Sequence, residues 1–394
     1  MKYFVCRIAF GIGIILCCIG NISAHTNIDF RVSEALNSSD WFELRRIHNE
    51  KEDSIMPMLN AFSEAMIACY FCNPDSACNS IDKLIYSYSQ EIGADNVINM
   101  TLFKAAQLAK KGDYHNAKNI ISDLLSKYDF GASSSYFHEL LQQYAALDSI
   151  GNINSITKLS SDVIIPFCLD TIQVKGKLNY AIMMEAKVNG TPLKILFDSG
   201  AGVNVVREET AQKLGIEKLD LSASAFGIGL VQGKYAVADR IELGNMCIEN
   251  VPFHLFTITS GVDSIDNKYM SHLDMILGID FMNLFDELQI DFRKSQIRIP
   301  HKVSETEDYE VQNLCGGTRE TFIVEAKING ELFNVGIDTG AGGTILENRY
   351  YQRFKDYIDT TCESDTLRQA GAGGIKIEKG YKLRKVNIGI NGVN

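Results

Sequence analysis

The chain is short of positive charge. Its 394 residues carry 38 Lys and Arg against 49 Asp and Glu, a formal net charge of −11, and no basic stripe gathers along it. Both features argue against a nucleic-acid partner. Beyond the N-terminus no apolar run approaches the ~20 residues a membrane span needs. The seven histidines (His25, His48, His115, His138, His254, His272, His301) form no His-Glu-x-x-His or similar cluster, and no Gly-x-Ser-x-Gly elbow occurs. Zinc-hydrolase and serine-hydrolase readings therefore fall away. Gly227-Ile228-Gly229 opens no helix, and no Lys-Ser/Thr stands at P-loop spacing, which argues against a nucleotide site. Cys69-x-x-Cys72 with Cys78 is a metal-like spacing, but it lacks a second cysteine pair or suitably spaced histidines. No metal and no cofactor are expected.

What is present fits a globular protein of two or three domains: 46% of residues are hydrophobic and 22% charged. Residues 1–24 read as a signal peptide. Lys2 and Arg7 supply positive charge, Ile8 to Ile19 is apolar, and Ile22-Ser23-Ala24 offers a cleavage site. The competing reading is an uncleaved anchor. Cys17 and Cys18 lack a small residue before them in lipoprotein register. Export to the periplasm, the cell surface or the medium follows. Cleavage leaves seven of the ten cysteines, an odd count. They are expected as buried small apolar residues, with room for one helix-to-helix disulfide.

Residues 25–155 carry helical spacing. Leu102, Ala105, Ala106 and Leu108 share a face, Gly112-Asp113-Tyr114 turns, and Ala117, Ile120, Ile121, Leu124 and Leu125 continue on a second helix. Gly112, Tyr114, Ala117, Ile121 and Leu124 resemble the second half of a tetratricopeptide repeat. Ala77, Ile81 and Leu84 form a weaker copy, 117 − 77 = 40 residues earlier. Such a region serves either to bind a peptide or protein partner or simply to pack, and both readings stay open. Gly151-Asn152-Ile153-Asn154 reads as a linker.

After it the pattern is strand-like, and it repeats. Phe197-Asp198-Ser199-Gly200-Ala201 returns as Ile337-Asp338-Thr339-Gly340-Ala341, with 338 − 198 = 140. Glu185-Ala186-Lys187 and Asn189-Gly190 return at the same offset as Glu325-Ala326-Lys327 and Asn329-Gly330. Asn-Gly between apolar runs signals a hairpin. Chance supplies about a quarter of one Asp-(Ser/Thr)-Gly in a chain of this length. Two copies inside a shared strand–turn–strand offset mean a duplicated unit. Gly200 and Gly340 permit a sharp turn at which each carboxylate reaches the other. Ser199 and Thr339 supply hydroxyls that can lock the two loops together.

These motifs resemble the retropepsin-like aspartic proteases. Met275-Ile276-Leu277-Gly278 matches the family's second signature, and Leu288 to Phe292 with Gln296 to Ile299 matches its closing hairpin. The resemblance implies a multidomain α and all-β protein. A helical repeat region would precede two homologous β-barrel lobes, 156–302 and 303–394, the second incomplete. It implies an exported aspartic endopeptidase acting on a peptide or protein substrate, with Asp198 and Asp338 catalytic. Ser199, Gly200, Thr339 and Gly340 would support the loops. Gly227, Gly229, Gly371 and Gly373 would lie on flaps, against ordinary hairpin turns as the plainer reading. No match to the pepsin flap tyrosine is present. Two like charges about 3 Å apart cannot both form cheaply, so the pair shares one proton, as aspartic proteases do.

The first copy runs on from Gly244 to the Ile276-Leu277-Gly278 strand, whereas the second reaches Gly389, read as the equivalent position, close to Asn394. That difference leaves room for a homodimer or a partner chain completing the second lobe. It also supports the alternative function, a non-catalytic peptide- or partner-binding protein with a degenerate protease fold.

Overall fold

The computed structural model describes residues 27–71, 73–157, 160–174, 177–257, 273–304, 312–316 and 321–392. Residues 1–24, read from the sequence as a signal peptide, and Cys72 lie outside them. The chain divides into two compact units. One takes in the residues up to Ile153 together with Glu307–Glu325; the other comprises Asn154–Thr306 and Ala326–Asn394. The first break falls within the glycine–asparagine linker. The second falls inside the stretch read as the second lobe, 303–394: its described residues 312–316 and 321–325 group with the helices. Nothing in their own pattern announces this, because the partners that hold them lie far away in sequence.

The helical unit is built from α1 (Asn27–Ser38), α2 (Trp41–Lys51), α3 (Pro57–Phe71), α4 (Pro74–Lys110), α5 (Tyr114–Lys127) and α6 (Ser134–Ile150). Asn73 caps α4 by accepting from the Ser76 N–H, with Pro74 in the first turn. Asp113 caps α5 by accepting from the Asn116 N–H. α4 is interrupted where Tyr88 and Gly93 leave helical geometry; it lines one core as far as Phe103 and joins a second at Ala105. Val32, Trp41, Phe42, Leu59, Phe62, Ile81 and Leu84 share one core. Ala105, Ala117, Ile121, Phe137 and Tyr144 share the other. Ala117 is fully buried, the small residue that helix-on-helix approach requires. Of the six described cysteines, Cys69, Cys78 and Cys315 are buried, Cys247 and Cys362 half-buried and Cys168 exposed, and no helix-to-helix disulfide joins any two of them.

The β unit holds an eleven-stranded sheet: β1 (Ser155–Ile156), β2 (Val163–Val174), β3 (Lys177–Val188), β4 (Thr191–Phe197), β5 (Val205–Val206), β6 (Glu217–Phe226), β7 (Leu230–Leu243), β8 (Met246–Leu255), β9 (Met275–Leu277), β10 (Gln289–Asp291) and β11 (Gln296–Ile299). Two short helices, α7 (Glu208–Leu214) and α8 (Ile279–Met282), interrupt it. The strand order is β10-β11-β2-β3-β4-β9-β5-β8-β7-β6, with β1 on β8 and a further β3–β7 pairing. Alternation builds the interior: Ile182, Met184, Ala186 and Val188 of β3 are buried in turn.

The later part has α9 (Asn348–Arg353), α10 (Lys355–Thr361) and two small sheets. One places β12 (Phe322–Ile328) between β13 (Glu331–Ile337) and β16 (Ile388–Gly389). The other is the β14 (Glu363–Gly371)–β15 (Gly374–Lys382) hairpin.

The two copies repeat in hydrogen bonds as well as in letters. Asn189 (φ 46°) and Gly190 (φ 81°) turn β3 into β4; Asn329 (φ 51°) and Gly330 (φ 91°) turn β12 into β13. The Asn189 N–H donates to Arg240 O and its Oδ1 accepts from the Arg240 N–H. Asn329 does the same with Asn387. This register corrects one equivalence. Lys187 pairs with Glu242, and Lys327 pairs with Gly389. Gly389 therefore matches Glu242, and the counterpart of Gly244 (φ 57°) is Asn391 (φ 49°). A shared glycine misleads here because asparagine also tolerates the left-handed region.

Candidate active site

β4 and β13 each run straight into an Asp-(Ser/Thr)-Gly turn. β4 pairs in parallel with β9, Phe197 opposite Leu277, and the Asp198 N–H donates to Leu277 O at 3.1 Å. Beyond β9 the chain packs against the loop. A Cβ on Gly278 would stand 2.5 Å from Val203 O, and the Ile279 N–H donates to Ala201 O at 2.8 Å.

The two loops are locked by four reciprocal bonds. The Ser199 N–H donates to Thr339 Oγ1 at 2.9 Å, and the Thr339 N–H donates to Ser199 Oγ at 3.0 Å. Ser199 Oγ in turn donates to Ile337 O at 2.8 Å, and Thr339 Oγ1 donates to Phe197 O at 3.1 Å. Each hydroxyl donates once and accepts once, so both are satisfied in a confined place. Ser199 is only 3% exposed.

The lock brings the two aspartates together. The Gly200 N–H donates to Asp198 Oδ1 and the Gly340 N–H to Asp338 Oδ1, both at 2.8 Å. Each carboxyl also lies over the other loop's glycine. A Cβ on Gly340 would stand 2.5 Å from Asp198 Oδ1, and one on Gly200 would collide with the Asp338 carboxyl carbon. Neither glycine has an unusual φ, so the requirement is space. Gly200→Ala or Gly340→Ala should push the carboxyls apart and cost about 10²-fold or more in the activity proposed below, while the helical unit keeps its circular dichroism; undiminished activity in either variant would contradict this packing.

As a residue Asp198 is half-exposed, and Asp338 more so. The Asp198 carboxyl itself is closely surrounded, and that desolvation is the chief cause raising its pKa from 3.8 to about 6. The neighbouring Asp338 charge and its hydrogen bond add to the rise, while the Gly200 and Gly340 N–H groups oppose it.

The four flap candidates also meet. Gly227 and Gly229 lie in the β6–β7 turn, while Gly371 ends β14 and Gly373 lies in the β14–β15 turn. The Gly229 N–H donates to Ala372 O at 3.2 Å, and Cβ atoms on Gly227 and Gly229 would stand 2.7 and 2.8 Å from the Ala372 and Gly373 carbonyl oxygens. At these tips backbone meets backbone.

Asn204 is a participant that the sequence reading missed. It is 2% exposed. Its Oδ1 accepts from the Gly278 N–H at 3.0 Å, and its Nδ2 donates to Pro252 O at 3.3 Å. It thereby ties β8 and β9 to the first aspartate loop. Its counterpart at the 140-residue offset is Thr344, so comparing the copies does not flag it.

Among the described residues, one group of metal-ligand type, His48, Glu52 and Glu64 in the helical unit, has its ligand atoms within 4.8 Å of one another. Lys83 Nζ already stands 2.7 Å from Glu64 Oε2. The described cysteines take no part in that group.

Residues 184–281 match the family model described as aspartyl protease, 98 of the 394 residues. Through that stretch the chain is similar to the aspartyl proteases. A retropepsin-like aspartic protease from Rickettsia conorii is a similar solved structure, with 18% identity and a TM-score of 0.22 over 37% of this chain and 92% of that one. That likeness is too slight to carry an argument. No curated protein matches the chain.

Proposed function

We propose that the protein is an aspartic-type endopeptidase with two lobes, each contributing one aspartate of a dyad. The observation that carries this reading is the reciprocal Ser199–Thr339 lock, which holds Asp198 and Asp338 against each other's glycine. The raised Asp198 pKa suits a pair that shares one proton. The ionised carboxyl takes a proton from a bound water, and that water attacks the peptide carbonyl. The protonated carboxyl donates to the carbonyl oxygen, so general base and general acid act on one substrate group. The two meeting hairpin tips serve as flaps over an extended peptide. The test is cleavage of an unfolded protein by the full chain, across about pH 3 to 8 so that the range spans the loss of the pair's proton, with products read by mass spectrometry. Absence of cleavage, or cleavage undiminished in Asp198→Asn, rejects the reading.

Export belongs to the same proposal and rests on the charge–apolar–small order of residues 1–24. N-terminal sequencing of the secreted or periplasmic protein should begin at or near His25. Recovery of intact Met1 from the cytosol would count against it.

A further inference from the structure

We propose that the helical unit is a receptor for the chain's own residues 312–316 and 321–325, and that this docking orders the strand leading to Asp338. The part concerning Asp338 rests on the proposed function; the receptor part does not.

These residues, 312–316 and 321–325, pair with each other as short β structure. Cys315 and Ile323 exchange both backbone hydrogen bonds at 2.9 Å. Asn313 extends the ladder with its side chain: Nδ2 donates to Glu325 O at 2.9 Å, and Oδ1 accepts from the Glu325 N–H at 3.0 Å. Residues 313 and 325 are thus held opposite one another.

The helices grip this structure at three places. Cys315 is 1% exposed, within the same apolar core as Trp41, Phe42 and Tyr70, and Ile323 packs against that core. The Gly316 N–H donates to Tyr70 O at 3.1 Å. That carbonyl lies in the last turn of α3, where the helix leaves acceptors unused. The third place is α2, which supplies adjacent arginines. Arg45 donates to Gln312 O and lies 3.9 Å from the Phe71 ring centroid. Arg46 pairs with both Glu325 carboxylate oxygens, at 3.0 and 3.2 Å. The grip combines an apolar anchor, a helix-end acceptor and a forked ion pair.

Comparing the copies shows that the grip is not part of the strand's ordinary pattern. Glu185, at the position of Glu325, is an exposed residue of β3 opposite Lys194. The Glu325 side chain is only 19% exposed and is engaged by Arg46. β12 then continues without a break to Ala326 and Ile328, each 1% exposed. It is the central strand of its sheet, and β13 leads from it into Asp338. A strand whose first half is pinned by the helices and whose second half is core to the β unit links the order of the two.

Hydrogen exchange on the full chain tests both parts. Arg46→Glu and Glu325→Arg should each speed exchange at Cys315, Ile323 and Glu325 by about tenfold or more, with α5 and α6 unchanged. The double variant Arg46→Glu/Glu325→Arg should restore protection to within about threefold of wild type. Cys315→Asp should release the segment even if the ion pair alone does not. The receptor proposal is overturned if neither charge reversal nor Cys315→Asp alters exchange at these amides. The ordering of Asp338 is read at the Gly340 amide, which bonds that carboxylate. Gly340 should lose protection in the released variants, whereas unchanged protection there overturns that part. Both readouts stand whether or not the chain cleaves peptides.

Discussion

Asp198→Asn and Asp338→Asn should each stop peptide hydrolysis, by on the order of 10³-fold or more, and the double variant should be no slower than either single. The non-additivity follows from the geometry. Both carboxyls sit within the same four-bond lock, each against the other's glycine. A base without its acid, or an acid without its base, leaves the water and carbonyl unserved, so the second loss removes nothing further. The pH profile should be a bell whose limits belong to the pair. Its alkaline limb should fall near pH 6, where Asp198, held protonated by burial and by Asp338, gives up its proton. If Asp338→Asn kept full hydrolysis while Asp198→Asn abolished it, Asp338 would not belong to the dyad. Two first lobes from separate chains would then be the better source of the site.

The sequence reveals the parts of this arrangement that are repeated in register. Asn189-Gly190 and Asn329-Gly330 require a left-handed turn, and the hairpins follow. A hydroxyl residue after each aspartate supplies one donor and one acceptor, enough for a reciprocal lock. Contacts made at long range by unrepeated residues are not legible in this way. Cys315 is unremarkable in sequence, yet it completes a core more than 200 residues upstream, since 315 − 84 = 231 for Leu84. Asn204 ties strands through a side chain that the second copy replaces with Thr344. Gly227, Gly229, Gly371 and Gly373 are readable as turn residues. That the tips meet depends on paired strands, which no local pattern encodes.

Asp198→Asn should also make the β unit more stable at neutral pH while destroying the proposed activity. The folded state holds the Asp198 pKa at about 6 against an ordinary 3.8. Below 3.8 the folded and unfolded chains both carry the proton, and the site costs nothing. As pH rises from 3.8 toward 6, the unfolded chain releases the proton while the folded chain keeps it, so stability falls. Above 6 the whole cost is present. With 6 − 3.8 ≈ 2 units at about 1.4 kcal/mol each, it amounts to roughly 3 kcal/mol. Asparagine carries no charge to desolvate. Its Oδ1 can still accept the Gly200 N–H, and its amide can donate to Asp338 in place of the shared proton. Urea unfolding, followed by pulsed hydrogen exchange at β3 and β4 amides, should therefore show the variant ahead of wild type at pH about 7 and level with it near pH 3.5. An equal advantage at both pH values would assign the gain to packing rather than to charge. No advantage at pH 7 would mean that the two carboxyls are not held close enough to compete for one proton.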